Sequence, residues 1–282
     1  AMSENSMQFT ARIAENYEKY LAPVFFISTS KDLVSHLKGS PENILEIAAG
    51  TGQVTRNIVK TYPDAKITAT DINPGMLEVG KNIVRSGNVT WMAADACELP
   101  FENNSFDAII CQFGVMFFPD KQKAMNEAFR VLKPGGQIVF NTWDSLENNR
   151  ICMIPEEVVN RVFPDDPPPF YKIPFSMYDP AEIEALLKTA GFNNIKIENK
   201  KMLIPIIIYG LIENKKMEGY SKSPDNAVTA FTEGNPIYLQ IMERDPAILP
   251  VFQKMLKEEL IKEFGAGRFT IPLSEFIATK KK

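Results

Sequence analysis

The sequence predicts an α/β fold in which seven strands form a mostly parallel sheet with helices on both faces. Short apolar runs of strand length alternate with segments of helical periodicity from residue 43 to residue 142. The first run leads into a turn with two glycines, and acidic residues close three of the runs: Glu46, Asp71 and Asp95. Because right-handed crossovers bring the carboxyl ends of parallel strands to one edge, we expect a ligand there.

Composition narrows the class of protein. The 282 residues are 45% hydrophobic, enough to fill the core of one large domain with additions. The net charge of -4 argues against a nucleic-acid partner, since phosphate contacts need an excess of Lys and Arg. The three cysteines, Cys97, Cys111 and Cys152, are too scattered for a disulfide framework, so we expect no metal and a cytoplasmic location. The longest apolar run, 203–212, is shorter than the roughly 20 residues of a membrane span, so we expect no membrane partner.

The first half of the chain contains the regular part of the predicted fold. Two helices within 11–37 come first, around a break near Pro23. Asn73 and Pro74 open a helix after the second strand, and a Lys-Pro-Gly-Gly turn, 133–136, leads into the fifth. The predicted strands are 43–48, 67–70, 89–93, 106–111 and 137–142, and further helices cover 53–61 and about 120–132.

The second half is less regular and is predicted to contain a helical cap. A helix over 180–190, capped by Asp179, precedes a sixth strand at 195–204. The last strand, 269–279, could run antiparallel to its neighbour. We expect one domain, 1–282, with a core of 40–145, 179–205 and 268–279. A cap of 8–38, 146–178 and 206–267 would exclude water from the site, and the alternative is that these helices form a homodimer interface.

The glycine turn and Asp71 point to a nucleoside ligand. A Gly-x-Gly turn alone can simply join a strand to a helix. Asp71, however, lies 19 residues after Gly52, close to the separation of about 20 at which Rossmann-like folds place a carboxylate for ribose hydroxyls. The third glycine of the dinucleotide motif would stand at position 55, which is Thr55, and this disfavours a nicotinamide dinucleotide.

Five groups of residues carry a more specific resemblance. They are Glu46-x-Ala48-x-Gly50-x-Gly52, Asp71-Ile72-Asn73-x-x-Met76-Leu77, Asp95-Ala96-x-x-Leu99-Pro100-Phe101, Phe106-Asp107 and Leu132-Lys133-Pro134-Gly135-Gly136. In order and spacing, over 44–143, they resemble class I S-adenosylmethionine-dependent methyltransferases, and within them the ubiquinone and menaquinone C-methyltransferases. Ala48 replaces the family's usual first glycine. Because alanine adds only a methyl group, we expect binding to survive.

The resemblance implies S-adenosylmethionine as cofactor and S-adenosylhomocysteine as product. Asp71 would accept the ribose hydroxyls, and the amides at the helix start would receive the carboxylate. Asp95 would accept from the adenine amine, or it could simply hold a turn. The implied cofactor set is Glu46, Ala48, Gly50, Thr51, Gly52, Asp71, Ile72, Met76, Asp95, Ala96, Gln112 and Phe113.

The acceptor is expected to be small and apolar or aromatic. The candidate pocket residues are Tyr17, Tyr20, Phe117 and Trp143, although the run around Phe117 could instead be buried core. The sequence identifies no catalytic base: His36, the only histidine, is expected to be structural, and Tyr17, Tyr20 and Asp144 are weak alternatives. Two further hypotheses stay open, a non-catalytic S-adenosylmethionine-binding sensor or scaffold and a nicotinamide reductase.

Overall fold

The computed structural model describes residues 15–16, 18–19, 22–169, 172–204, 228–229, 231–232, 237–264 and 269–281. In this part of the chain seven strands form one sheet in the order β3-β2-β1-β4-β5-β7-β6. Strands β1 to β5 pair in parallel, and β7 runs antiparallel to β5, as predicted for the last strand. The strands are β1 (Asn43–Glu46), β2 (Lys66–Asp71), β3 (Val89–Ala93), β4 (Phe106–Gln112), β5 (Leu132–Trp143), β6 (Asn193–Ile204) and β7 (Phe269–Thr279).

Helices connect most of these strands, which confirms the α/β fold. Asp179 caps its helix as predicted, because its Oδ1 accepts from the N–H of Ala181 at 3.0 Å. The described helices are α1 (Ala22–Phe25), α2 (Ile27–Ser35), α3 (Gln53–Thr61), α4 (Pro74–Ile83), α5 (Lys121–Val131), α6 (Arg150–Val162), α7 (Pro180–Ala190), α8 (Ile237–Arg244) and α9 (Ile248–Phe264). None of the helices that the structure describes is long and apolar enough to cross a bilayer.

The contacts within the chain divide it into two units. The sheet unit comprises 28–144, 174–200 and 272–282, and the helical unit comprises 1–27, 145–173 and 201–271. Residues 28–38 therefore cluster with the sheet, whereas the sequence assigned them to the cap. The assignment of the other segments to a cap stays a prediction.

The helical unit has its own packed interior. Helix α6 packs against α9, and Phe252, Leu256 and Leu260 of α9 are fully buried. Arg150 joins the two helices, because its Nε lies 2.7 Å from an oxygen of Glu263. This ion pair is exposed, so the apolar contacts contribute most of the stability of the unit.

One face of the sheet changes from apolar to polar toward the carboxyl ends of the parallel strands. Its apolar part includes Ile44, Ile110, Val139 and Ile277 and packs with residues of α2 and α3. Residues paired across neighbouring strands point to the same face. The register joins Glu46 with Ile110, Gln112 with Asn141, and Asn141 with Glu275. A row of polar side chains, Glu46, Gln112, Asn141 and Glu275, therefore crosses four strands at this edge, and we call it the polar row.

Candidate cofactor site

The turn after β1 adopts left-handed backbone conformations at three positions. The φ angles are 55° at Ala48, 55° at Gly50 and 84° at Gly52. Glycine adopts this conformation freely, whereas a residue with a Cβ pays about 1 to 2 kcal/mol. A Cβ on Gly52 would also lie 2.9 Å from the ring of Trp91. The two glycines thus leave the backbone of the turn open, while Ala48 carries strain that the family's usual glycine would not.

Glu46 lies beneath this turn. Its side chain is 1% exposed, and the hydroxyl of Thr55 donates a hydrogen bond to its Oε1. Burial raises the pKa of Glu46 to about 8 against the lowering effect of this hydrogen bond, and the nearby Asp71 raises it further. The carboxyl group is therefore mostly protonated at neutral pH. Its burial favours a role in supporting the turn, and the contact with the cofactor that the resemblance implies for Glu46 stays a prediction.

Asp71 is held at the end of β2 by two backbone donors. Its Oδ2 accepts from the N–H of Gly50 at 2.9 Å, and its Oδ1 accepts from the N–H of Asn73 at 2.9 Å. Burial raises the pKa of this carboxyl group. A carboxylate can accept about four hydrogen bonds, so two hydroxyl groups of a ligand could still bind. The structure thus places the predicted ribose-binding side chain against the glycine turn.

Two apolar residues of the implied cofactor set, Ile72 and Met76, follow Asp71 in the chain. Ile72 is 71% exposed, which is unusual for a large aliphatic side chain. Met76, half-buried on α4, approaches the turn, because its Cε would lie 3.6 Å from a Cβ on Gly50. The exposed apolar side chain of Ile72 beside a fixed carboxylate suits a ligand with one apolar and one polar part.

Asp95 and Ala96 lie in a tight turn after β3. The Oδ1 of Asp95 accepts from the N–H of Cys97 at 2.9 Å, and its carbonyl oxygen accepts from the N–H of Glu98 at 3.0 Å. Asp95 therefore does hold a turn, the alternative that the sequence left open. The side chain is exposed and Ala96 is buried. The contact of Asp95 with adenine and the place of Ala96 in the cofactor set stay predictions.

Gln112 and Phe113 end β4, and Trp143 ends β5 beside them. The Nε2 of Gln112 donates to the hydroxyl of Ser30 at 2.7 Å. Phe113 has a φ of 47°, which is unusual for a bulky residue. Its ring stacks on that of Trp143, with centroids 3.5 Å apart and planes 4° apart. The structure thus brings Phe113, a residue of the implied cofactor set, against Trp143, a residue predicted to line the acceptor pocket.

Of the other predicted pocket residues, Phe117 is exposed, and Tyr17 and Tyr20 cannot be compared with the structure. Phe117 is 51% exposed, whereas the adjacent Val115 and Met116 are buried. The alternative of a buried run therefore applies to those two residues and is wrong for Phe117. Tyr17 and Tyr20 lie outside the described residues.

Asn141 is a site residue that the sequence analysis missed. Its side chain is fully buried in the polar row, and its Oδ1 accepts from the N–H of Phe113 at 2.8 Å. The signal in the sequence is a polar residue at the end of the apolar run Ile138–Val139–Phe140. Buried polar side chains are normally hydrogen-bonded, so such a residue indicates a specific partner.

His36 is part of an ion cluster at the other end of the polar row. The Nζ of Lys200 lies 3.0 Å from both oxygens of Asp32 and 3.0 Å from the Nε2 of His36. That nitrogen also contacts Glu275, whose pKa is raised to about 8, first by burial and then by the nearby Asp32. Asp32, His36 and Glu275 are close enough together to hold a metal ion. The ammonium of Lys200, however, already provides the positive charge there.

Comparison with known proteins agrees with this geometry. The family described as "Methyltransferase domain" matches residues 45–140. The chain is 30% identical, over 172 residues, to a mitochondrial 2-methoxy-6-polyprenyl-1,4-benzoquinol methylase of Caenorhabditis elegans, a match covering 55% of this chain and 60% of that protein. It is 42% identical, over 101 residues, to a ubiquinone/menaquinone biosynthesis C-methyltransferase of Idiomarina loihiensis, covering 34% of this chain and 40% of that protein. The matches thus span only part of these relatives.

A solved structure shares the fold. Phosphoethanolamine N-methyltransferase 2 of Haemonchus contortus, in complex with phosphomonomethylethanolamine and S-adenosylhomocysteine, aligns with a TM-score of 0.54 and 17% identity. The alignment covers 90% of this chain and 53% of that one. Residues 45–140 of this chain, which include the glycine turn and Asp71, thus match the methyltransferase domain family.

Proposed function

We propose that this protein transfers a methyl group from S-adenosylmethionine to a small apolar or aromatic molecule. The observation that carries the proposal is the fixed carboxylate of Asp71, bonded to the N–H of Gly50 and flanked by the exposed Ile72. A ribose with two hydroxyl groups and an apolar adenine face match these two features. The names of two relatives, a polyprenyl-benzoquinol methylase and a ubiquinone/menaquinone biosynthesis C-methyltransferase, agree with an acceptor that is aromatic and apolar.

The residues of the turn fit a cofactor with a methionine tail. Helix α3 begins after Gly52 without a side-chain cap among the described residues and has no acidic residue in its first turn. The positive end of its dipole and its first amides can receive a carboxylate. Thr55 is fully buried and donates to Glu46, so a side chain stands where a dinucleotide site would need its third glycine.

The chemistry needs little from the protein beyond position. The nucleophile of the acceptor forms a bond to the methyl carbon as the bond from that carbon to sulfur breaks, and the electron pair stays on sulfur. The acceptor's proton, where one is lost, passes to a base or to water. Holding two reactants in line can lower the barrier by about 7 to 11 kcal/mol. The stacked rings of Phe113 and Trp143, which are each 6% exposed and which we call the aromatic wall, would support one side of the pocket for an aromatic acceptor.

The further features of the proposal concern location and assembly. The three cysteines are unpaired and buried, which agrees with a reducing compartment such as the cytoplasm. The absence of a nucleic-acid partner is proposed from the net charge of -4, and a homodimer is proposed from the helices predicted outside the sheet.

A labelled-transfer experiment tests the proposal against a non-catalytic sensor. The protein is incubated with methyl-labelled S-adenosylmethionine and a short-chain 2-methoxy-6-prenyl-1,4-benzoquinol, and in parallel with a metabolite extract. We expect label to appear in an organic-extractable product. Label that binds the protein but moves to no acceptor in either mixture would instead support a sensor or scaffold.

A further inference from the structure

Residues 113–114, which follow β4 and which we call the corner, lie directly against the glycine turn. A Cβ built on Gly114 would lie 2.5 Å from the Cβ of Ala48 and 2.8 Å from the Sγ of Cys111. No side chain fits at position 114 while Ala48 keeps its methyl group. The methyl group that distinguishes this chain from the family's usual glycine is therefore accommodated by the glycine at 114.

The corner also contains Phe113, whose ring is one half of the aromatic wall. Phe113 precedes Gly114, stacks on Trp143 and has a left-handed backbone conformation. Such a conformation persists in a bulky residue only where its surroundings hold it. The hydrogen bond from the N–H of Phe113 to the fully buried Asn141 provides this restraint.

We propose that Asn141 and Gly114 are positioning residues that connect the aromatic wall to the cofactor turn. Asn141 fixes the backbone of Phe113 through its hydrogen bond. Because Gly114 packs directly against Ala48, a shift of the corner also shifts Ala48. A movement of the Phe113 and Trp143 rings would then change the turn that receives the cofactor. The inference rests on the proposed function, because its effect is measured through cofactor binding.

A double-mutant cycle measures this connection. The variants are Gly114→Ala, Ala48→Gly and the double variant, and the measurement is the affinity for S-adenosylhomocysteine by calorimetry. We expect Gly114→Ala to weaken binding about tenfold or more, because its Cβ would push the turn away. Ala48→Gly relieves the strain at a φ of 55°, and its own effect on affinity is measured separately so that the cycle isolates the coupling between the two positions.

The double variant decides the outcome. Removal of the methyl group at 48 relieves the contact at 2.5 Å, whereas the contact of 2.8 Å with the Sγ of Cys111 remains, so we expect part of the lost affinity to return. Independent effects, with the double variant as weak as Gly114→Ala, would overturn the inference. If the wild-type protein itself bound no S-adenosylhomocysteine, the proposed function would fail instead, so the two failures are distinguishable.

A second pair of variants tests Asn141 without a new methyl group. Asn141→Ala removes the acceptor for Phe113, and the control Thr142→Val removes a buried hydroxyl that has no hydrogen-bond partner within the described chain and points to the opposite face of β5. We expect faster exchange of the Phe113 amide proton, weaker near-ultraviolet circular dichroism from Trp143, and about threefold or greater loss of affinity only in Asn141→Ala. Equal affinity of Asn141→Ala and the wild-type protein would contradict the proposal.

Discussion

At the scale of single residues, Glu46 links the stability of the turn to pH. The buried carboxyl group has a pKa of about 8 in the folded chain, compared with about 4.3 in an unfolded one. Folding therefore favours the protonated form. The stabilisation is fully present below the unfolded pKa and is lost as the pH rises through the folded one.

This linkage gives a prediction for Glu46→Gln. The amide can still accept from Thr55 but does not titrate, so we expect the Tm of the wild-type protein to fall relative to that of the variant between pH 6 and pH 9. Thermal unfolding at several pH values measures this difference. Glu42→Gln, an exposed change just before β1, is the control and should behave like the wild type. A constant difference between Glu46→Gln and the wild-type protein would show that Glu46 does not titrate in this range.

At the scale of elements, the glycine turn depends on both backbone freedom and space. Gly52→Ala places a Cβ at a φ of 84° and 2.9 Å from Trp91. We expect a loss of stability of about 1 to 3 kcal/mol from strain and crowding together, and a weaker affinity for S-adenosylhomocysteine. Gly87→Ala is the control, because nothing lies within 4 Å of its added Cβ. Similar unfolding midpoints in denaturant for the two variants would count against this account of the turn.

Helix α7 offers a test of stability without an effect on the site. Asp179→Ala removes the hydrogen bond to the N–H of Ala181, and loss of such a cap costs about 0.5 to 2 kcal/mol. Chemical denaturation should show this loss. Affinity for S-adenosylhomocysteine should stay within about twofold of the wild-type value, and a large change would mean that α7 contributes to the cofactor site. Asp179→Asn, which keeps a capping oxygen, should recover most of the stability.

The ends of a helix or strand could be predicted from the sequence where residues in or next to that element determine where it begins and ends. The helix at 53–61 and the strands at 89–93 and 269–279 have the predicted bounds. Strand β1 ends at Glu46 rather than 48, because Ala48 has a left-handed conformation. Strand β5 begins at Leu132 rather than 137, because Gly135 and Gly136 bond to the backbone of Lys280. That contact joins distant parts of the chain and leaves no local pattern.

At the scale of the whole molecule, the candidate site draws its residues from the ends of five strands, β1 to β5. Residues that follow one another in a motif, such as Asp71 and Ile72, were predictable from spacing. The stacking of Phe113 on Trp143 and the restraint by Asn141 depend on the register of β4 with β5. Phenylalanine gives no sign of a positive φ, so neither the conformation of Phe113 nor its partner could be predicted from the sequence.

The most direct test of the central claim is a calorimetric titration of S-adenosylhomocysteine into the wild-type protein and Asp71→Ala, with NADH as the comparison ligand. We predict binding of S-adenosylhomocysteine and not NADH to the wild-type protein. The affinity of Asp71→Ala should fall by about tenfold or more, because two hydroxyl groups lose a charged acceptor. Equal affinity of the two proteins for S-adenosylhomocysteine, or binding of NADH alone, would contradict the account.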